Sequence, residues 1–264
     1  IFLENLGNPA FNIPDYEPIV EMARRMGVCV MVDNTFGMGG YLFRPFVWGE
    51  NVTIHLATKW ICGHGTALGG VVVDGGNFDW TPEKYPLLAA PSESYHGLVY
   101  KEVFGNAAFA GRVRVDGLRN IGPAASPFNS FLMLQGLETL SLRAERCCAN
   151  ALAIAEFLEG HPAVESVNYV GLKSNPYHEL ACKYLRNGFG GVLTFRVKGG
   201  FDAAAALVGK LELILHVGSV GDAKSLIVHP ASTTHSQLSP EEQVAAGVYP
   251  NMLRLSVGIE SVDD

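Results

Sequence analysis

An α/β fold leading into a smaller α+β region is what the sequence predicts, and three observations carry it. An apolar strand, an amphipathic helix and a second apolar strand follow one another between Ile1 and Val32. That is the βαβ unit, which favours a parallel sheet covered on both faces. A long helical run from Phe128 to Leu158 then divides the chain, and beyond it strands and helices come in mixed order. A boundary is therefore expected near residue 146, separating 1–146 from 147–264.

The elements follow from local chemistry. Ile1 to Leu3 is an apolar run closed by Gly7-Asn8-Pro9, where proline biases Asn8 away from helix. After Pro14, Ile19, Val20, Ala23 and Met26 recur at helical spacing with Glu17, Glu21, Arg24 and Arg25 at polar positions, and Gly27 ends the pattern. Val28 to Val32 reads as a fully buried strand; Val52 to Ile54 and Gly70 to Val73 continue the β-rich theme. Residues 75–125, rich in Gly, Pro and aromatics, lack sustained periodicity and are expected to form an excursion with one short helix near Tyr100 to Ala110. Long loops of this kind usually carry function or an interface. The helical run from Phe128 is expected to break or kink near Gly136, and Arg143, Arg146, Glu138, Glu145 and Glu156 mark its polar side. Val164 to Val170 follows as a strand, then a helix around Glu179 to Leu185, a strand Gly191 to Val197, a helix after Phe201 and a last strand Leu253 to Val257. The chain opens at Ile1 inside what reads as a strand, without an initiator Met, so a longer protein is expected.

Composition narrows the function classes. The 264 residues are 48% hydrophobic, enough for a substantial core. Lys and Arg number 19 against 26 Asp and Glu, a net charge of −7, and the basic residues form no runs. Neither a nucleic-acid partner nor an anionic membrane surface is expected. The five cysteines are odd in number and contain no C-x-x-C spacing, which fits a reduced, cytoplasmic compartment. No apolar stretch approaches the ~20 residues of a membrane span, and no charged-then-apolar leader is visible. The eight histidines show no metal-ligand spacing, so no metal is expected. No G-x-S-x-G elbow or H-E-x-x-H pair occurs. The glycines Gly63, Gly65, Gly69 and Gly70 come after Lys59, whereas a Walker loop places them before its lysine.

Asp33 closes a buried strand, and ligands of open α/β sheets sit at the carboxyl ends of strands. An Asx turn or helix cap through Asp33-Asn34-Thr35 is the competing explanation. Twenty-six residues later Thr58-Lys59 stands at the end of another apolar strand, before Trp60-Ile61. Such a lysine either snorkels to water or is a desolvated amine suited to Schiff-base chemistry. The pair says more than either member. Pyridoxal phosphate requires a lysine as covalent anchor and an acid facing its pyridinium nitrogen, because the protonated ring is the electron sink.

Seven ordered segments carry a resemblance. Glu4-Asn5-Leu6-Gly7-Asn8-Pro9, Val32-Asp33-Asn34-Thr35-Phe36, Ala57-Thr58-Lys59-Trp60 and Leu134-Gln135-Gly136-Leu137-Glu138-Thr139-Leu140 are followed by Val217 to Ala223, by His229-Pro230-Ala231-Ser232-Thr233-Thr234-His235 and by Leu253 to Glu260. Together they resemble the Cys/Met metabolism family of pyridoxal-phosphate enzymes over nearly the whole chain. The segment around Pro91-Ser92-Glu93-Ser94-Tyr95-His96-Gly97 looks like its O-acetylhomoserine sulfhydrylase branch.

The resemblance implies a fold-type I transferase, represented by the rear of its large α/β domain and by its small α+β domain. It implies pyridoxal 5′-phosphate as cofactor, with Lys59 as anchor and proton carrier and Asp33 paired with the pyridine nitrogen. Asn8 would lie near the cofactor 3-hydroxyl and Thr58 near its phosphate; Arg254 would hold the substrate carboxylate, assisted from Ser219. The implied reaction is γ-replacement on O-acetyl-L-homoserine with sulfide or a thiol, in a homotetramer whose subunits share active sites. Two departures stand out. Leu56 occupies the position where the family usually has a phosphate-binding Ser, and the family's phosphate loop, ring-stacking aromatic and partner-donated Tyr/Arg pair all precede the matched region. Leu56, together with Ser219 where many sulfhydrylases carry Asn, keeps γ-elimination and γ-substitution by a carbon nucleophile open. A non-catalytic scaffold subunit is the alternative from another class.

Overall fold

Residues 1–264 are described by a computed structural model. The first strand β1 (Phe2–Glu4) leads through helix α1 (Tyr16–Met26) to β2 (Met31–Asp33), and short α2 (Pro45–Trp48) precedes β3 (Val52–His55) and β4 (Val71–Asp74). These strands form one sheet in the order β1-β2-β3-β4, parallel except for β4, which runs antiparallel to β3. α1 turns Tyr16, Val20 and Ala23 inward, and Gly27 ends it at φ 57°, a left-handed conformation that glycine adopts without steric cost. The ladder starts at Met31, three residues later than the sequence predicts. The Val28 N–H still closes the helix on the Ala23 carbonyl, and the Val30 N–H donates to Asn51 Oδ1, so neither joins the ladder.

The excursion carries short helices α3 (Pro86–Ala89), α4 (Tyr100–Phe104), α5 (Ala108–Arg112) and α6 (Arg119–Ile121). Gly105, at φ 54° and ψ −124°, separates α4 from α5 where one helix was expected. Trp80, Leu88, Tyr100 and Ala108 pack there against Cys29 and Val52.

The long helical run is two helices, α7 (Pro127–Glu138) and α8 (Leu140–Glu159). The break falls at Thr139, not near Gly136. Gly136 stays helical because the chain needs its lack of a side chain: a Cβ would collide with the carbonyl oxygens of Ile61 and Cys62. Arg143 fixes the joint by donating to Thr139 Oγ1, the Gly136 carbonyl and the Trp60 carbonyl.

Beyond α8 come β5 (Val164–Asn168), α9 (His178–Tyr184), β6 (Val192–Val197), α10 (Gly200–Val208), β7 (Leu215–His216), β8 (Leu226–Val228), α11 (Pro240–Ala245) and β9 (Met252–Ser256). The second sheet has the order β5-β6-β9-β8-β7, antiparallel except for the β7/β8 pair. β7 and β8 are additions to the sequence expectation. α8 touches both cores: Ala144, Cys147 and Cys148 pack with Leu6, Trp60 and Val220, while Ala151 and Ala155 pack with Leu193, Phe195 and Leu253. Residue 146 lies inside this helix. No helix is long and apolar enough to cross a membrane.

Candidate active site

The carboxyl ends of β1, β2 and β3 converge on a cavity of about 220 Å³ that the second sheet closes with Arg254 of β9 and Ser219 of the β7–β8 loop. Asp33 is the last residue of β2. Its Oδ1 accepts from the Thr35 N–H at 2.9 Å, so the Asx turn is real. Asp33 also lines the cavity, and no hydrogen bond occupies its second oxygen within the chain. The same carboxylate thus closes the Asx turn and presents an oxygen to the cavity.

Lys59 follows β3 in a tight turn in which its N–H donates to the Leu56 carbonyl and its own carbonyl accepts from Gly63. Trp60, 2% exposed, anchors that turn in the first core. The lysine amine does not snorkel away: Nζ donates to Ser219 Oγ at 2.8 Å inside the cavity. Burial, reinforced by the positive charge of Arg254, lowers its pKa below the usual lysine range. Either effect favours the neutral amine, the form that can act as nucleophile or base.

The loop that brings Ser219 there depends on Gly221. At φ 75°, that residue lies against Trp60 so closely that a Cβ would press on the indole and on the Trp60 nitrogen. Its N–H donates to Ser256 Oγ, tying the loop to β9.

Arg254 stands in the middle of the second sheet, paired with Thr194 on β6 and Val228 on β8. It is 8% exposed, and burial pushes its pKa down. Its side-chain hydrogen bond goes from Nη1 to Asn8 Oδ1 at 3.2 Å, and it joins no ion pair. A buried guanidinium with most of its five donors unspent is a receptor for a planar anion.

Five of the six predicted site residues, Asn8, Asp33, Lys59, Ser219 and Arg254, therefore line one cavity. Thr58 does not. Its Oγ1 donates to the Gly69 carbonyl and accepts from the Gly69 N–H, which joins the lysine turn to the glycine segment behind it. Leu56 does line the cavity and offers it no side-chain donor. Thr35 and Glu4, also in the lining, were not singled out from sequence. Thr35 Oγ1 accepts from the Leu56 N–H at 2.9 Å and keeps its own proton to donate. The quoted segments Glu4 to Pro9 and Val32 to Phe36 contain both residues, but only the strand register shows which side chains reach the site.

A carboxylate, a desolvated primary amine and an unsatisfied guanidinium in one cavity fit the pyridine nitrogen, the aldehyde carbon and the amino-acid carboxylate that pyridoxal-phosphate chemistry brings together. The fit is weakest at the phosphate, where Leu56 stands.

A profile of the Cys/Met metabolism PLP-dependent enzyme family matches residues 1–264. The chain is 54% identical over 263 residues to O-acetyl-L-homoserine sulfhydrylase 1 of Thermus thermophilus, covering 100% of this chain and 62% of that protein. It is 52% identical over 266 residues to homocysteine synthase of Schizosaccharomyces pombe, again covering 100% of this chain and 62% of the relative. Among solved structures it superposes at a TM-score of 0.95 and 40% identity on a Campylobacter jejuni protein described as an O-acetylhomoserine (thiol)-lyase, which carries a pyridoxyl-lysine monophosphate. That likeness covers 100% of this chain and 63% of the other. The chain thus spans about 62% of the length of the curated relatives it matches.

Proposed function

The chain belongs to the Cys/Met metabolism PLP-dependent enzyme family, and from that premise we propose that it is the lysine-bearing part of an enzyme performing γ-replacement on O-acetyl-L-homoserine. Sulfide as nucleophile would give homocysteine and acetate; methanethiol would give methionine and acetate. The observation that carries this proposal is the Lys59 amine held at 2.8 Å from Ser219 in a cavity it shares with Asp33 and Arg254.

Pyridoxal phosphate, when bound, supplies the electron sink that acidifies Cα and Cβ of the amino acid. Lys59 would anchor it and would move the protons: its amine would take one from Cα and, having passed that on, one from Cβ, while acetate would leave from Cγ with the electron pair of the Cγ–O bond. After the thiol has added at Cγ, the same amine returns protons to the product. Burial and the neighbouring Arg254 charge, which lower its pKa, favour the neutral amine that takes a proton. Asp33 would hold the ring nitrogen in its protonated form through its uncommitted oxygen. Arg254 binds the α-carboxylate by a two-point grip that also fixes the substrate's orientation. Asn8, next to Arg254, is assigned the cofactor 3-hydroxyl; Ser219 is assigned the Lys59 amine and the carboxylate end. Thr58 is assigned the phosphate end through its place beside Lys59, with Gly69 as its partner in this structure.

The same proposal divides the chain at residue 146 into the cofactor-bearing part and the small α+β part. It places the full protein in the cytoplasm as a homotetramer with shared sites. γ-Elimination and γ-substitution by a carbon nucleophile are the second reading, favoured by Leu56 in the cavity wall and by Ser219 on the lysine. A product assay on the full-length protein with O-acetyl-L-homoserine and sulfide decides between them: homocysteine and acetate are expected, whereas a 2-oxo acid and ammonia would establish elimination. A colourless full-length protein, with no visible band after cofactor is added, would establish the scaffold reading.

A further inference from the structure

We infer that Glu4 is a positioning residue for the carboxylate grip, acting on Arg254 through Asn8. The inference rests on the function proposed above. Glu4 is the last residue of β1 and pairs with Asp33 in parallel register, so the two carboxylates leave the sheet side by side at the same level. Both line the cavity. Their commitments differ. Asp33 spends one oxygen on its own turn, whereas Glu4 Oε2 accepts from the Asn8 N–H at 3.0 Å and so ties the backbone at Asn8 to the end of β1.

Asn8 has no other brace of this kind, and it is exposed. Its Oδ1 accepts from Arg254 Nη1 at 3.2 Å, the one side-chain hydrogen bond that the buried guanidinium makes. The order of support is therefore Glu4 to the Asn8 backbone, and the Asn8 carboxamide to Arg254. An anionic acceptor for a backbone N–H makes a stronger hydrogen bond than a neutral one. With Glu4 removed, the Asn8 N–H loses its acceptor and the guanidinium loses a fixed partner, while its depth in the second sheet is unchanged.

The test uses the full-length holoenzyme and glycine, an amino acid with the α-carboxylate but no leaving group. The dissociation constant is read from the change in visible absorbance of the bound cofactor. Glu4→Ala is expected to weaken glycine about tenfold, the loss of one such hydrogen bond, with the melting temperature unchanged. Glu4→Gln, whose Oε1 accepts the same N–H, is expected to stay within about threefold of the native protein. In an Arg254→Lys background Glu4→Ala should add little further loss, because the two changes act on one grip. Unaltered glycine binding in Glu4→Ala, equal losses in Ala and Gln, or full additivity with Arg254→Lys would each overturn the assignment. If the native protein forms no borohydride-trappable adduct at Lys59, the functional proposal itself fails, and Glu4 with it.

Discussion

The two ends of β3 treat charge in opposite ways. At the carboxyl end, Lys59 gives up much of its hydration but gains the Ser219 hydroxyl and a cavity shared with Asp33. At the amino end, Glu50 is 0% exposed and neither carboxylate oxygen has a hydrogen-bond partner. Burial pushes its carboxyl up to about 7. The phenol of Tyr16 on α1 is itself raised by burial and by the Glu50 charge, so this neighbour does not compensate an anion. The difference separates a desolvated group that has a partner and an open cavity from one that has neither. In the first, desolvation is matched by a partner and leaves room for a ligand; in the second it is uncompensated, and the carboxyl responds by holding its proton.

Breaking the functional end should have the largest effect. Lys59→Ala in the full-length protein is expected to abolish the borohydride-trappable cofactor adduct and to lower turnover by on the order of 10⁴-fold, the upper range for a positioned proton carrier. Mass spectrometry of the reduced protein checks it; an adduct persisting on another lysine would sink the assignment. Removing the charge at the other end should help the protein. A carboxyl raised from 4.5 to about 7 in the folded state gives stability that is fully present below pH 4.5 and lost as pH climbs through 7. Glu50→Gln should therefore match the native protein near pH 4.5 and exceed it above pH 7, by roughly 3 kcal/mol if the full shift is expressed. Urea unfolding at pH 5 and pH 8 measures this, and equal stabilities at pH 8 would refute it.

The smaller predictions sharpen how the cavity compensates its charges. Arg254→Lys should raise the KM for the amino acid by about tenfold or more with the cofactor spectrum intact, since an ammonium cannot reproduce the two-point grip. Steady-state kinetics at saturating sulfide reads it, and an unchanged KM contradicts the role. Leu56→Ser restores a hydroxyl to the cavity wall and should tighten the cofactor by up to about tenfold. Titration of the apoprotein decides; equal dissociation constants would mean that Thr35, with its free hydroxyl proton, or another donor already serves the phosphate.

Much of this site could be read from sequence, because Asp33 closes one apolar strand, Lys59 lies in the turn that follows another, and Arg254 sits alone in a third. Glu4 could not, since its access to the cavity depends on its register with Asp33, a pairing that bridges 29 residues. The same limit hid β7 and β8. The two residues of β7 are exposed, so no burial pattern marks them, and its partner is fixed by the ladder with β9. The helix break was misplaced for a different reason. Glycine signals a kink when it is read locally, yet Gly136 is demanded by the close approach of the chain at Ile61 and Cys62, and the joint at Thr139 is fixed by the reach of Arg143. The extent of the first core, which mixes Leu6 and Trp60 with Cys148 and Tyr184, was likewise beyond any local pattern.

α8 gives the molecule a lever. Its first turns are set in the core beneath Lys59 and Asp33, and its later turns carry the sheet that holds Arg254. A helix of 20 residues is ~30 Å long, so a tilt of ~2° moves its far end by about 1 Å. A misplacement of that size can cost ~10²-fold in rate. The alanines Ala151 and Ala155 pack with Leu193, Phe195 and Leu253 of that sheet, so their size sets the spacing between helix and sheet and with it the gap between the amine and the guanidinium. Enlarging either would shift that gap from a distance while every residue of the cavity kept its identity.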